Sequence, residues 1–142
     1  MSAWTELEAE RAFAAAARAR RRAVLVARLR RQCHGLLAVY DQPLRRRSGV
    51  GPSRGIREIP VEAICATTEP NRAAQFDRDF RPSPVTRCRW LRIFQAEERG
   101  TPLPPVSVVR VGDHYALRDG HHRVSVARAR GAVTIRAVVE TA

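Results

Sequence analysis

The chain has 142 residues, of which 44% are hydrophobic and 28% are charged, with 9 prolines and 8 glycines. This length fits one domain of ordinary size, and this composition excludes a membrane bundle, a collagen-like fibre and a largely disordered chain. The net charge of +12 comes entirely from arginine, because the sequence contains no lysine. Arginine binds phosphate in planar, bidentate geometry, so we first expect partners that carry phosphate.

The excess of positive charge lies in the N-terminal part of the chain. Residues 1–57 hold 13 arginines against 4 acidic residues, whereas residues 58–142 hold 13 against 10. The stretch from Thr5 to about Gln32 is rich in Ala, Arg and Glu and contains no Gly or Pro. It predicts a long arginine-rich helix with Thr5 as the N-cap.

A change of composition predicts a linker after this helix. Residues 41–55 contain two prolines, three glycines and three consecutive arginines. The predicted organisation is therefore a basic N-terminal helix over residues 1–40, a linker over residues 41–55 and a folded domain over residues 56–142.

The pattern after the linker predicts both strands and helices, which is typical of an α/β (α+β) domain. A helix over Val85–Arg99 is indicated by apolar residues at helical spacing, including Cys88, Leu91 and Phe94, with an aromatic face that should lie in the core. Gly112 and Asp113 predict a two-residue hairpin turn. The other predicted elements are a strand over Ile56–Ile64, a loop over Thr67–Pro84, hairpin strands over Pro105–Val111 and His114–Leu117, a short helix over His121–Arg130 and a final strand over Val133–Val139.

The residues that carry chemistry are concentrated where the hairpin leads into the short helix. A glycine at a strand-to-helix turn allows close backbone approach, and the first amides of a helix are unpaired donors that favour an anion. Alternatively, Asp119 only caps the helix and the histidines lie on its exposed first turn. The candidate phosphate-binding residues are Gly120, His121, His122 and Arg123.

These motifs together resemble the N-terminal domain of ParB proteins, in the ParB/sulfiredoxin superfamily. The resemblance covers roughly residues 56–140 and depends on the order of "IPV", "PLPPV", the "GD" hairpin and "DGHHR" leading into "SVARARG". The segment "FDRDFRP" is also similar to small actinobacterial proteins named as ParB-like. The resemblance implies a mixed-sheet fold whose turn binds a nucleoside triphosphate, CTP or ATP, with magnesium, and Arg72 or Arg81 near the ligand.

The resemblance leaves the activity open between nucleotide hydrolysis and kinase-like transfer. Sulfiredoxins carry a catalytic cysteine where this chain has His121, so we do not expect sulfiredoxin activity. Free serine kinases of this fold have a similar turn, which makes a small-molecule phosphotransferase the enzymatic alternative. Its general base would be a carboxylate, with Glu62 or Asp119 as candidates. A non-catalytic protein-interaction module is a further alternative, and a homodimer is compatible with the resemblance.

The basic N-terminal part predicts salt-sensitive contact with DNA that is independent of sequence. One alternative is a solvated helix that packs its alanines on the body or on a partner helix. A helix that lies on a membrane surface is a further alternative, although large apolar residues are sparse on its face. The candidate DNA-binding residues are Arg18, Arg20, Arg21, Arg22, Arg28, Arg30, Arg31, Arg45, Arg46 and Arg47.

The cysteines and histidines predict neither a disulfide nor a metal site. Cys33, Cys65 and Cys88 are odd in number and far apart, and no secretory-type apolar run precedes them. The His and Cys spacings match no tetrahedral pattern, so nucleotide-borne magnesium is the only metal expected. No stretch reaches the ~18 apolar residues of a membrane span. We therefore expect a cytoplasmic protein with reduced thiols.

Overall fold

Six strands form one mixed sheet in the computed structural model, which describes residues 3–32, 35–40 and 55–141. The strand order is β1-β3-β5-β4-β6-β2. β1, β3 and β5 are parallel neighbours, β4 pairs antiparallel with β5 and parallel with β6, and β2 pairs antiparallel with β6. The strands are β1 (Ala38–Val39), β2 (Ile56–Pro60), β3 (Ile64–Thr67), β4 (Val106–Val111), β5 (His114–Asp119) and β6 (Thr134–Thr141).

Four helices accompany the sheet, so the predicted mixed α/β class with a long N-terminal helix is confirmed. The predicted hairpin is present as β4 and β5, closed at Gly112 with φ +59°. Short 3-10 turns over Val61–Ala63 and Pro84–Thr86 complete the elements. The helices are α1 (Ala3–Leu29), α2 (Pro70–Ala73), α3 (Arg87–Glu98) and α4 (His121–Ala129).

The predicted single strand over Ile56–Ile64 is wrong, because two strands share this segment. β2 ends at Pro60, and the 3-10 turn over Val61–Ala63 leads into β3. β2 pairs with β6 at one edge of the sheet, whereas β3 pairs with β1 and β5 near the other edge. The 3-10 turn therefore connects an edge strand, β2, to β3, which lies next to the opposite edge of the sheet.

The arginine-rich helix α1 packs on the body through its small residues. Ala9 and Phe13 are buried against Trp90, Leu91 and Phe94 of α3, and Val126 of α4 joins this cluster. The partly buried alanines of α1 in the same contact are Ala12, Ala16 and Ala17. Their spacing of three and four residues places them on one face of the helix. The other faces carry most of its arginines.

The bounds of α1 differ from those predicted. The helix begins at Ala3, so Thr5 lies inside its first turn and is not the N-cap, and it ends at Leu29. Residues 38–39 form β1, which places part of the predicted 1–40 helical segment in the sheet. Of the predicted linker, residues 41–54 lie outside the described residues. The division of the chain into helix, linker and domain stays a prediction.

The aromatic face of α3 lies in the core, as predicted. The ring of Trp90 is stacked on Phe94 at 5.7 Å and meets the ring of Phe13 edge-on at 5.4 Å. Its indole Nε1 donates to Oγ of Ser125 at 2.9 Å, so this buried polar atom has a partner. Cys88, predicted for the same face, is exposed. Trp90 of α3 therefore contacts both α1, through Phe13, and α4, through Ser125.

Candidate functional site

The turn between β5 and α4 has a conformation and a close contact that require glycine. Gly120 is buried and has φ +109°, in the region that side chains disfavour. A β-carbon placed on it would lie 2.5 Å from Cγ1 of Val106 on β4. The start of α4 is therefore held against the sheet by backbone packing. Gly120 is also the N-cap residue, and no side chain caps the helix, so the alternative in which Asp119 only caps the helix is wrong.

His121 and His122 are buried, which contradicts the predicted exposure of the first helical turn. They are 5% and 8% exposed. Phe76, from the loop after α2, lies parallel to the ring of His121 at 6.2 Å and meets the ring of His122 edge-on at 5.3 Å. Nε2 of His121 is hydrogen-bonded to Oγ of Thr67 at the end of β3, at 2.7 Å. The loop and β3 therefore fix both imidazole rings.

Burial keeps both histidines neutral at pH 7. It is the main cause that lowers the pKa of His121 from 6.5 to about 4, with a further contribution from the Arg72 guanidinium. The pKa of His122 is also lowered to about 4, first by burial and then by Arg89 and Arg72. Each neutral ring has one N–H donor and one acceptor nitrogen. The histidines can therefore contribute hydrogen bonds here but no charge.

Arg123 is engaged by the loop that precedes β4. Its guanidinium donates to the carbonyl oxygens of Pro104 and Pro105, the latter at 3.1 Å, and pairs with Asp119 at 3.3 Å. The Asp119 side chain is 76% exposed. Arg123 thus secures the turn to the segment before β4, and part of its donor capacity is already used.

Two other arginines act electrostatically on the start of α4 and have no acidic partner among the described residues. The positive charge of Arg72, on α2, contributes to the lowered pKa of both histidines. The charge of Arg89, on α3, contributes to the lowered pKa of His122. Arg72 donates to Oε1 of Gln75 at 3.3 Å. Neither Arg72 nor Arg89 forms an ion pair with a carboxylate in the part of the chain that the structure describes. The structure therefore brings Arg72 to the predicted turn and adds Arg89.

Sequence reasoning missed Arg89, and its position offered one usable signal. It immediately precedes Trp90 in a helix whose aromatic face is buried, and it is itself exposed. Arg81, the other predicted arginine, pairs instead with Asp77 at 3.4 Å and Asp79 at 3.1 Å. The structure thus gives Arg81 two carboxylate partners of its own.

The two candidate catalytic carboxylates lie at different ends of α4. Asp119 immediately precedes the turn, whereas Glu62 lines a pocket formed with Ser125, Arg128 and the residues after α4. No group of three or more His, Cys, Asp or Glu residues suited to a metal occurs within residues 3–32, 35–40 and 55–141. The described structure therefore does not assemble both predicted carboxylates at the turn.

Most of the candidate DNA-binding arginines that the structure describes are exposed on or just after α1. Arg20 differs, because it is half-buried and its Nη1 atom is buried without a hydrogen-bond partner. Arg45, Arg46 and Arg47 lie outside the described residues. The exposed members are Arg18, Arg21, Arg22, Arg28, Arg30 and Arg31.

The remaining predictions concern thiols and membranes. Cys65 and Cys88 are free and exposed, and Cys33 lies outside the described residues. Within the described ranges, no helix has the length and apolar character needed to cross a membrane.

Comparison with known proteins finds a remote similarity of structure. No protein-family model matches the chain, and no curated protein matches it. Among solved structures it is similar to sulfiredoxin from Arabidopsis thaliana, with 20% sequence identity, a TM-score of 0.41, and coverage of 62% of this chain and 86% of that chain. We draw no ligand or activity from this similarity. The assignment to ParB proteins stays a prediction.

Proposed function

We propose that the protein binds the phosphate groups of a nucleotide at the N-terminus of α4. The observation that carries the proposal is the pair of arginines, Arg72 and Arg89, whose positive charges act on the histidines of this helix end and which have no carboxylate partner among the described residues. The N-terminus of a helix is the positive end of its dipole, so cations beside it are unfavourable until an anion binds. A phosphate would neutralise all of these positive groups together.

Uncharged donors at the same place support the proposal. The first intrahelical bond runs from the amide of Val124 to the carbonyl of Gly120 at 3.0 Å. The amides of His121, His122 and Arg123 precede it and have no helical acceptor by the geometry of an α-helix. The neutral imidazole ring of His122 adds an N–H donor without competing for the anion's charge, whereas the N–H of His121 donates to Thr67, whose hydroxyl donates to the carbonyl of Leu117. This combination suits a phosphate ester held against a helix end.

The proposed ligand is CTP or ATP carried with magnesium, and hydrolysis of that nucleotide is the proposed reaction. Kinase-like transfer has less support, because Glu62 lies at the other end of α4 and the Asp119 carboxylate is paired with Arg123. A transfer reaction would need a free carboxylate beside the acceptor hydroxyl.

The test is calorimetric titration of ATP, CTP, GTP, UTP and inorganic triphosphate with magnesium. Arg89→Ala should weaken binding roughly ten- to hundredfold, because a charge-assisted hydrogen bond contributes about 1.5 to 3 kcal/mol. The matched control is Arg92→Ala. Arg92 is an exposed arginine of the same helix, and its charge does not contribute to the pKa shift of either histidine. Equal weakening by both variants, or no binding by the wild type, would contradict the proposal.

A second proposed function is contact with DNA through the exposed arginines of α1. The supporting observation is that α1 packs on the body through its small residues and leaves Arg18, Arg21 and Arg22 in solvent. Such contacts would be independent of DNA sequence and would weaken as salt displaces the protein from phosphate.

Substitution is a better test of this contact than deletion, because α1 supplies Ala9 and Phe13 to the core. Replacing Arg18, Arg21 and Arg22 together by glutamine should flatten the plot of log K against log salt by about 0.9 for each phosphate that is no longer neutralised. A control with the same change in charge replaces the exposed body arginines Arg57, Arg92 and Arg136. If both triple variants bind duplex DNA alike, only net charge matters and α1 is a packing helix.

A further inference from the structure

The hydrogen bonds around Thr67 fix which ring nitrogen of His121 carries the proton. The hydroxyl oxygen of Thr67 contacts the amide of Glu69 at 2.9 Å, the carbonyl oxygen of Leu117 at 3.1 Å and Nε2 of His121 at 2.7 Å. An amide only donates, a carbonyl only accepts, and a hydroxyl has one proton and two lone pairs. The hydroxyl proton therefore goes to Leu117, and both lone pairs accept. Nε2 of His121 is thus the protonated nitrogen.

The other ring nitrogen of His121, Nδ1, is left with a free lone pair. No described residue donates to Nδ1, and this atom retains accessible surface although His121 as a whole is 5% exposed. Burial and the charge of Arg72 lower the pKa of His121 to about 4, so the ring is neutral at pH 7. The lone pair is therefore available to a molecule that approaches the turn.

The position of Nδ1 brings this lone pair next to the proposed phosphate donors. Nδ1 is bonded to Cγ, so it is the ring nitrogen nearer to the main chain, whereas Nε2 is directed to Thr67 at the end of β3. The unpaired amides of α4 begin at the same residue, His121. A phosphate that accepts from these amides therefore lies beside Nδ1.

A lone pair in this place does not help to bind an anion, because it faces phosphate oxygens that carry lone pairs themselves. Two chemical roles remain, as a base toward water or as a nucleophile toward phosphorus. The ring of His121 is packed against Phe76 and almost fully buried, which leaves little space for a water molecule between Nδ1 and a bound phosphate. The geometry therefore favours the nucleophile.

The surroundings suit a phosphoryl group on this nitrogen. Thr67 and Phe76 already fix the ring, so little freedom is lost when it reacts. The helix amides and the charges of Arg72 and Arg89 remain beside the group after transfer and offset its negative charge.

We propose that His121 is the nucleophile of the nucleotide reaction and forms a phosphohistidine at Nδ1. The proposal rests on the proposed binding of a nucleoside triphosphate at α4. The Nδ1 lone pair forms a bond to the γ-phosphorus, and the bond from this phosphorus to the bridging oxygen breaks. Its electron pair leaves with the nucleoside diphosphate, and Nε2 keeps its proton on Thr67.

Water completes the reaction once the nucleoside diphosphate has left and the phosphoryl group is open to solvent. The water oxygen attacks the phosphorus, and the electron pair of the N–P bond returns to Nδ1. A proton of the water leaves with inorganic phosphate. The sum of the two steps is hydrolysis of the nucleotide.

The experiment incubates the full chain with magnesium and ATP or CTP that is radioactively labelled in the γ-phosphate. The reaction is stopped in alkali, because a phosphohistidine is stable in alkali and is lost in acid. The label should map to His121, and His121→Gln should abolish it while keeping a donor for Thr67. The matched control, His114→Gln, changes an exposed histidine of β5 and should leave the label unchanged. Label that survives acid, or that lies on another residue, would overturn the proposal.

Exchange of labelled nucleoside diphosphate into the triphosphate detects the intermediate even where it does not accumulate, because exchange requires transfer to the protein and back. We expect exchange in the wild type and none in His121→Gln. If calorimetry shows that the nucleotide binds, but neither label nor exchange is seen, His121 is not the nucleophile and the proposed binding stands. If no nucleotide binds, the proposed function itself fails, and this proposal fails with it.

Thr67 is a positioning residue in this proposal, and Thr67→Val tests that role. The variant removes the acceptor of Nε2–H with little change of shape, so the proton can move to Nδ1. Nitrogen NMR of the imidazole should find the proton on Nε2 in the wild type and on both nitrogens in the variant, and labelling should slow at least about tenfold. A proton on Nδ1 in the wild type would overturn the proposal, because the nitrogen beside the phosphate would then have no lone pair.

Discussion

Arginines lie at both ends of α4, but two of those at the N-terminal end, Arg72 and Arg89, have no acidic partner among the described residues. At the C-terminal end, Arg130 pairs with Glu97 and Glu98 at 3.3 and 3.1 Å and lies over the ring of Phe94. At the N-terminal end, Arg72 and Arg89 have no carboxylate partner among the described residues. The same type of side chain is therefore used in two electrostatic settings.

This difference separates an arginine that stabilises the fold from the two arginines to which we assign anion binding in our proposal. Cations are favourable at the negative C-terminal end of a helix dipole and unfavourable at its positive N-terminal end. Arg130 therefore gains from the dipole, from two carboxylates and from an aromatic ring. Arg72 and Arg89 gain from none of these in the free protein, and the pKa values of the nearby histidines are lowered by their charge.

The largest expected effect is a loss of stability at acidic pH, caused by the two histidines at the N-terminal end of α4. His121 and His122 have folded pKa values of about 4, below the 6.5 of the unfolded chain. Between these values the unfolded chain binds protons that the folded protein does not. The contribution of the neutral histidines to stability is therefore complete above about pH 6.5, and it should fall by about 3 kcal/mol for His121, and by less for the more solvent-screened His122, as the pH approaches 4.

Denaturant unfolding from pH 8 to pH 4 measures this loss. The double variant His121→Gln/His122→Gln should be less stable at pH 7 but should show a much shallower slope between pH 6.5 and pH 4. The same slope in wild type and variant would assign the acid sensitivity to the carboxylates.

The two glycines that flank α4 should differ in their response to substitution. Gly120→Ala combines φ +109° with a 2.5 Å contact to Val106, and should cost about 3 kcal/mol or more. Gly131→Ala has φ +72° but nothing within 4 Å, and should cost about 1 kcal/mol from backbone strain alone. Equilibrium urea unfolding compares the two. Similar losses would show that β4 moves aside for the new methyl group.

The smallest expected effect comes from the arginines themselves. Arg130→Ala should lower the free energy of unfolding by about 0.5 to 1 kcal/mol, because its ion pairs are partly exposed and lie at the favourable end of the dipole. Arg72→Ala/Arg89→Ala should leave that free energy unchanged or raise it by about 0.3 to 1 kcal/mol. Both differences should shrink in 1 M salt, where charges are screened within about 3 Å. A loss of stability in the double variant would identify Arg72 and Arg89 as structural residues.

The elements that are determined by residues close together in the chain could be predicted from the sequence. The hairpin follows from Gly112 and Asp113 between apolar runs, and α4 follows from a helix-forming stretch that ends before Gly131. The aromatic face of α3 follows from its spacing. In each case the residues that decide the structure lie within a few positions of one another.

Features that depend on distant contacts could not be predicted in this way. The sequence predicts His121 and His122 in solvent because nothing near them in the chain covers them, and Phe76 does so from a loop more than 40 positions away. The division of residues 56–64 between two parts of the sheet depends on pairing with β6 and β5. Arg89 joins the site only because α3 packs beside α4 through Trp90 and Ser125.

The position of β6 has a consequence for how the protein is synthesised. β6 is the last strand in chain order, yet it lies inside the sheet between β4 and β2. β2 pairs with no other strand of the described structure, so a nascent chain keeps β2 and one side of β4 as open edges until β6 has left the ribosome. Open strand edges pair readily with other chains. A stalled ribosome that has not released residues 134–141 would therefore carry an aggregation-prone intermediate in which the β4–β5 hairpin can form but β2 has no partner.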